Sequence, residues 1–182
     1  MTCIVGLLDG SRVILGGDTC GSDGFMYESC DHSKVFKVDK FVLGGTTSFR
    51  MLDLLEHSLK IPYVKPEDES NMDKFMRTSF VTAVRSCLKD GGFAETKNGA
   101  EAGGTFLIGY KNKLWRMQDD FSIINRNVYD SVGSGMYTAI GSLYTTNGIK
   151  MKPEDRVVKA LEAAASLIAS VKGPYNLIST EE

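Results

Sequence analysis

Thr2-Cys3-Ile4-Val5-Gly6-Leu7-Leu8, then Asp9-Gly10, then Arg12-Val13-Ile14-Leu15-Gly16-Gly17-Asp18 reads as two apolar strands joined by a tight turn. Asp-Gly is a dipeptide favoured in short hairpins, and apolar runs of this length bounded by turn residues are strand signals. The returning strand carries Asp18 back towards Thr2. Further on, Ser33-Lys34-Val35-Phe36-Lys37 opens another strand with a lysine at its start. The stretch thus puts a hydroxyl, a carboxylate and an ammonium where the last two could flank the first.

Thr2 acquires a chemical meaning once Met1 is removed. Its hydroxyl can then attack a carbonyl while its own α-amine takes the proton, one of the established ways to activate a weak oxygen nucleophile. A free α-amine titrates at roughly 7.7–8.0, close to the pH where a general base works best. While Met1 is attached, the nitrogen is an amide and the chemistry does not run. Taken singly, Thr2 reads as an ordinary strand-start residue, Asp18 as a turn residue and Lys34 as a solvated strand residue. On these residues alone, the three together leave the nucleophile only as one reading to be weighed against those.

At these residues the chain resembles the proteasome-type N-terminal nucleophile (Ntn) hydrolases, which include proteasome β-subunits and the HslV peptidase. More specifically, it is similar to the small bacterial and phage proteins of this type that begin Met-Thr-Cys-Ile-Val-Gly. That pattern has an N-terminal Thr, an Asp sixteen positions on and a Lys thirty-two positions on, matched without a gap by Thr2, Asp18 and Lys34. The likeness extends to Gly44-Gly45-Thr46-Thr47, and to Val132-Gly133-Ser134-Gly135 before Tyr137-Thr138-Ala139-Ile140-Gly141.

The resemblance implies a four-layer αββα sandwich and hydrolysis of amide bonds in a peptide or unfolded protein, with no cofactor. It implies that Lys34 lies beside the Thr2 hydroxyl, that Asp18 pairs with Lys34 and orients it, and that Ser134 contacts the threonine amine. The backbone of Gly45, Thr46 or Thr47 would stabilise the oxyanion, since a strand end running into a helix N-terminus presents free N–H groups. On residues alone, that segment reads equally well as a Gly-rich turn with a helix cap. The pattern's Asp-x-x-Ser-Gly element is missing near Lys172-Gly173-Pro174, where Ser166 or Ser170 could substitute. Assembly into a homo-oligomeric ring, served by an ATP-driven unfoldase, is also implied. Two other readings stand beside the peptidase: a non-catalytic ring-forming subunit and a small-molecule amidohydrolase.

Composition bounds the alternatives. The 182 residues, 42% of them hydrophobic, can bury a substantial core and fit one domain over 1–182. A net charge of −2 offers no field for a nucleic-acid backbone. The apolar run from Cys3 to Leu8 is too short for a signal-peptide core, and no segment has transmembrane length, so the expected place is the cytoplasm. The four cysteines, Cys3, Cys20, Cys30 and Cys87, form no CxxC pair. Cys30-Asp31-His32 could supply metal ligands, but no second Cys/His cluster supports it, and no metal site is expected. With only two histidines and neither GxSxG nor GxxxxGK[ST], the common hydrolase and nucleotide-binding motifs are missing.

The remaining chain alternates in type. Cys20 to Gly24 reads as a loop, followed by strands over Phe25–Ser29, Lys34–Val38 and Phe41–Gly44. From Ser48 the apolar period changes to Met51, Leu52, Leu55 and Leu59, one stripe of a helix. After a proline-marked linker, Phe75, Met76, Phe80, Ala83, Val84, Cys87 and Leu88 make a second stripe, ended by Gly91-Gly92. Ala94–Gly104 reads as a loop, Thr105–Tyr110 and Leu114–Gln118 as a hairpin, and Ser122–Tyr129 as a further strand. Helices over Gly135–Thr145 and Pro153–Val171 and a strand at Tyr175–Ser179 complete an α+β pattern.

Overall fold

The computed structural model describes residues 2–22, 26–29, 32–97 and 100–180. Met1, Gly24, Phe25, Cys30 and Asp31, invoked above, lie outside the described residues. Strands β1 (Cys3–Asp9) and β2 (Arg12–Asp18) form the expected hairpin, with Asp9 opposite Arg12. They are the centre of a four-stranded antiparallel sheet, flanked by β12 (Tyr129–Gly133) beside β1 and β13 (Tyr175–Ser179) beside β2. A second, five-stranded antiparallel sheet holds β5 (Val35–Val38), β6 (Phe41–Gly45), β9 (Phe106–Tyr110), β10 (Lys113–Met117) and β11 (Ile123–Arg126).

Strand alternation distributes the core between layers. Ile4, Val13 and Leu15 of the first sheet face Val35, Val42, Leu107 and Leu114 of the second in one buried cluster. Cys3, Val5, Leu7 and Ile14 point the other way, onto α5 (Met136–Thr145) and α6 (Pro153–Leu167). Residues 3–7 are therefore buried without interruption, as expected of a strand covered on both faces. The outer face of the second sheet, with Leu43, Ile108 and Trp115, is covered by α1 (Phe49–His57) and by the helical segment from α3 (Met72–Phe75) through a π-turn (Met76–Phe80) to α4 (Val81–Asp90). The layers run helix, sheet, sheet, helix, as expected, and both predicted apolar stripes face the core.

Several boundaries differ from the sequence reading. Ala94–Gly104 is not wholly loop: β7 (Glu95–Lys97) and β8 (Ala100–Ala102) pair across it, and Arg85 ties Glu101 to α4 with its guanidinium 2.6 Å from the carboxylate. Ser122–Tyr129 is not one strand, because β11 ends at Arg126 and the chain crosses to the other sheet as β12. The loop after Asp18 contains β3 (Cys20–Ser22), paired with β4 (Tyr27–Ser29). In the linker, α2 (Pro66–Glu69) forms one short turn with Pro66 in its first position. The last helix stops at Leu167, where Ile168 turns extended. Among the described residues, no helix is long and apolar enough to cross a membrane.

Candidate active site

The ends of β1 and β2, the start of β5, the β6–α1 turn and the end of β12 meet around a cleft of about 410 Å³. Thr2, Lys34, Gly45, Thr46, Thr47 and Ser134 all line it, and Cys20, Gly21 and Ser22 of β3 close one side. Phe49 and Leu52 supply its apolar wall.

Asp18 stands just behind this cleft. One of its carboxylate oxygens accepts from the Cys3 N–H at 2.8 Å, and the other accepts from the Cys20 N–H at 3.1 Å and from Lys34 Nζ at 2.9 Å. Asp18 is 0% and Lys34 2% exposed. The lysine also donates to the Cys20 carbonyl at 2.6 Å, and its ammonium lies 6.0 Å from the centroid of the Phe49 ring. A buried ion pair needs its remaining hydrogen-bonding capacity filled to repay desolvation, and here backbone groups from β1 and β3 fill it. The same bonds fix the lysine at the floor of the cleft.

The backbone carrying Thr2 is fixed from the opposite side. Ser134 Oγ donates to the Thr2 carbonyl at 3.2 Å and the Gly135 N–H approaches it at 3.5 Å. Gly133, at φ +98°, passes so close that a Cβ there would stand 2.1 Å from the same oxygen, so only glycine fits. Ser134 thus touches the Thr2 carbonyl.

The three backbone amides singled out for the oxyanion differ in their commitments. The Gly45 N–H donates to the Lys34 carbonyl at 3.0 Å and the Thr46 N–H to the Thr105 carbonyl at 3.2 Å. The Thr47 N–H has no such partner among the described residues, and Thr47 sits in the left-handed region at φ +71°. Ser48 caps α1, accepting from the Arg50 N–H at 3.1 Å, as its residue type suggested. Of the two serines considered as substitutes for the missing element, Ser166 is exposed and donates to Ala163 within its own helix, whereas Ser170 is buried with no partner for its hydroxyl among the described residues.

Sequence reasoning did not single out Cys20, whose carbonyl anchors Lys34, or Thr105, whose carbonyl anchors Thr46. Both act through backbone atoms, which residue type does not advertise. Among the described residues, no group of three His, Cys, Asp or Glu side chains is placed to hold a metal ion. Cys3, next to the threonine, has its thiol pushed up to about 12 mainly by burial, so it stays protonated at neutral pH.

No protein-family model matches the chain, and no curated protein matches it by sequence. Solved structures do. The chain is similar to Thiobacillus denitrificans BPH, with a TM-score of 0.80 at 15% identity over 98% of this chain and 97% of that one. It is similar to the same protein in complex with epoxomicin, with a TM-score of 0.78 at 17% identity over 98% and 97%. Eukaryotic HslV from Trypanosoma brucei aligns with a TM-score of 0.70 at 15% identity over 98% of both chains. These proteins share the proteasome-type Ntn fold, and this chain has that fold.

Proposed function

We propose that the protein is a threonine-type Ntn hydrolase that cleaves peptide bonds once removal of Met1 frees the Thr2 amine. The observation that carries this reading is the buried Lys34–Asp18 pair on the floor of the cleft that Thr2 lines. A fixed cation beside a hydroxyl favours its ionised form. In the mechanism that follows, the Thr2 amine takes the proton from the Thr2 hydroxyl and the oxygen attacks the scissile carbonyl. The Thr47 N–H, the uncommitted amide of the turn, stabilises the oxyanion. The amine returns the proton to the leaving nitrogen, and water then hydrolyses the ester. Asp18 holds Lys34 in place, and Ser134 holds the Thr2 backbone.

The substrate class we infer is a peptide or unfolded protein, and the setting is a homo-oligomeric ring in the cytoplasm, with an ATP-dependent unfoldase as partner. The fold supports this, as does the uncharged helix α5, whose Tyr137 and Tyr144 are 78% and 73% exposed. A ring admits only threaded chains and so protects folded proteins from an unregulated peptidase.

Intact-mass analysis of the natively expressed protein, followed by assay of Thr2→Ala on fluorogenic peptides, tests the reading. Loss of Met1 and loss of hydrolysis in the variant are the expected results. Uniform retention of Met1, or full activity in Thr2→Ala, sinks it. A ring without activity would instead favour the non-catalytic subunit.

A further inference from the structure

Thr47 is an outlier whose conformation needs a cause. Among the described residues, the other non-glycine positions with positive φ are Asp39, Lys111 and Phe121. Asp39 and Lys111 sit in the short turns joining β5 to β6 and β9 to β10, where left-handed residues are ordinary. Thr47 is in no hairpin and is β-branched, the residue type for which this region is least accessible. Such strain persists only where surrounding contacts over-determine it, and it clusters at functional sites.

The Ser48 N–H donates to the Thr46 carbonyl at 2.8 Å and closes a three-residue turn about Thr47, a conformation that is strained on its own, and further contacts hold that turn in place. Thr46 donates twice to the Thr105 carbonyl, from its N–H at 3.2 Å and from its hydroxyl at 3.1 Å. The Thr105 N–H reaches back to Thr47 Oγ1 at 3.5 Å, and the two hydroxyls of Thr46 and Thr47 are 3.3 Å apart. Beside them Gly104 leaves room that a side chain would take, since a Cβ there would stand 3.2 Å from Thr47 Oγ1 and 2.3 Å from Met51 Sδ. On its other side the Thr46 methyl lies 3.1 Å from where a Cβ on Gly133 would be, next to the Thr2 carbonyl. The turn is therefore tied to Thr105, the residue that leads into β9 of the second sheet, and abuts the first sheet at Gly133.

We propose that Thr46 and Thr105 are positioning residues, which clamp the 45–48 turn with Thr47 left-handed so that its N–H is presented to the cleft. The inference rests on the hydrolase reading for its catalytic consequence, but its structural content is independent of it. Misplacing a catalytic donor by about 1 Å costs on the order of a hundredfold in rate. Thr46→Val, which removes the hydroxyl and keeps the shape, should lower kcat by about tenfold to a hundredfold with KM within about twofold. Thr46→Ser, which keeps the hydroxyl, should restore kcat to within about threefold of wild type.

Crystal structures of both variants supply a readout that does not need activity. Thr47 should leave the left-handed region in Thr46→Val and remain in it in Thr46→Ser. If Thr46→Val does not fold, Thr46→Ala beside Thr46→Ser gives the same comparison. An unshifted turn in the variant lacking the hydroxyl, or an unchanged kcat, overturns the clamp. A wild-type protein that hydrolyses nothing would remove the hydrolase reading, and the crystal structures would still decide the clamp.

Discussion

Lys34 Nζ lies 2.9 Å from Asp18 Oδ2, and both side chains are buried, Asp18 completely and Lys34 but for the 2% that faces the cleft. Removing one member of such a pair strands the other as an unpaired buried charge, which typically costs about 3–5 kcal/mol. Lys34→Met should therefore destabilise the fold by about that amount in urea unfolding, besides abolishing hydrolysis. Asp18→Asn combined with Lys34→Met leaves no stranded charge, and its loss should fall well short of the sum of the single losses. Additive losses would mean that the pair is not coupled, and Lys34 would then need another reason to be buried.

Gly133 and Ser134 are neighbours with opposite sensitivities. Gly133→Ala places a methyl 2.1 Å from the Thr2 carbonyl at φ +98°, so β1 or β12 has to shift. Activity should vanish, and the melting temperature should drop by several degrees. Ser134 is exposed and contributes one hydrogen bond to the same oxygen. Ser134→Ala should lower kcat roughly two- to tenfold, with a fall in melting temperature much smaller than that of Gly133→Ala. Equal effects of the two substitutions on stability would refute this division.

Asp130 joins the two sheets along one edge. Its carboxylate, 1% exposed, accepts from Arg126 Nε at 2.5 Å, from Arg116 at 3.4 Å and from the Ser131 N–H at 2.9 Å. Both guanidiniums keep some contact with solvent, so the loss on removing the carboxylate should be lower than for a sealed pair. Asp130→Ala should cost about 2–3 kcal/mol and leave kcat within about twofold in the folded fraction. A variant as stable as wild type would show that solvent already screens this cluster.

The sequence made the central hairpin and both apolar helical stripes legible because each is a local pattern of one period. That Thr2, Lys34 and Ser134 belong together was implied only by the family resemblance; all three line the cleft. What it did not reveal depends on tertiary pairing. The division of residues 122–133 into β11 and β12 follows from their joining different sheets, and nothing in Asn127-Val128 announces the crossing. The β7–β8 hairpin has no apolar alternation to mark it and leans on the ion pair between Arg85 and Glu101. The commitments of the Gly45 and Thr46 amides were hidden for the same reason, since their acceptors belong to Lys34 and Thr105, distant in sequence.

Cys3 gives a prediction in pH. Its thiol is pushed from 9.0 to about 12, first by burial, with Asp18 adding in the same direction and Ser131 and Lys34 opposing. A thiol that ionises late in the folded state ionises earlier when the chain unfolds. At pH values between these limits the unfolded chain binds fewer protons, so stability falls as pH rises. The contribution is complete below about pH 9 and is lost progressively towards pH 12; Tyr110, raised from 10.0 to about 12 by burial and by Glu69, acts in the same sense. Thermal melts should therefore show a falling melting temperature between about pH 9 and 11, with a shallower slope in Cys3→Ala. At pH 8 the native protein should leave Cys3 unmodified by a thiol reagent over the time in which the unfolded chain reacts fully. Rapid native labelling of Cys3, or a slope that Cys3→Ala does not change, would show that burial at the start of β1 does not hold this thiol neutral.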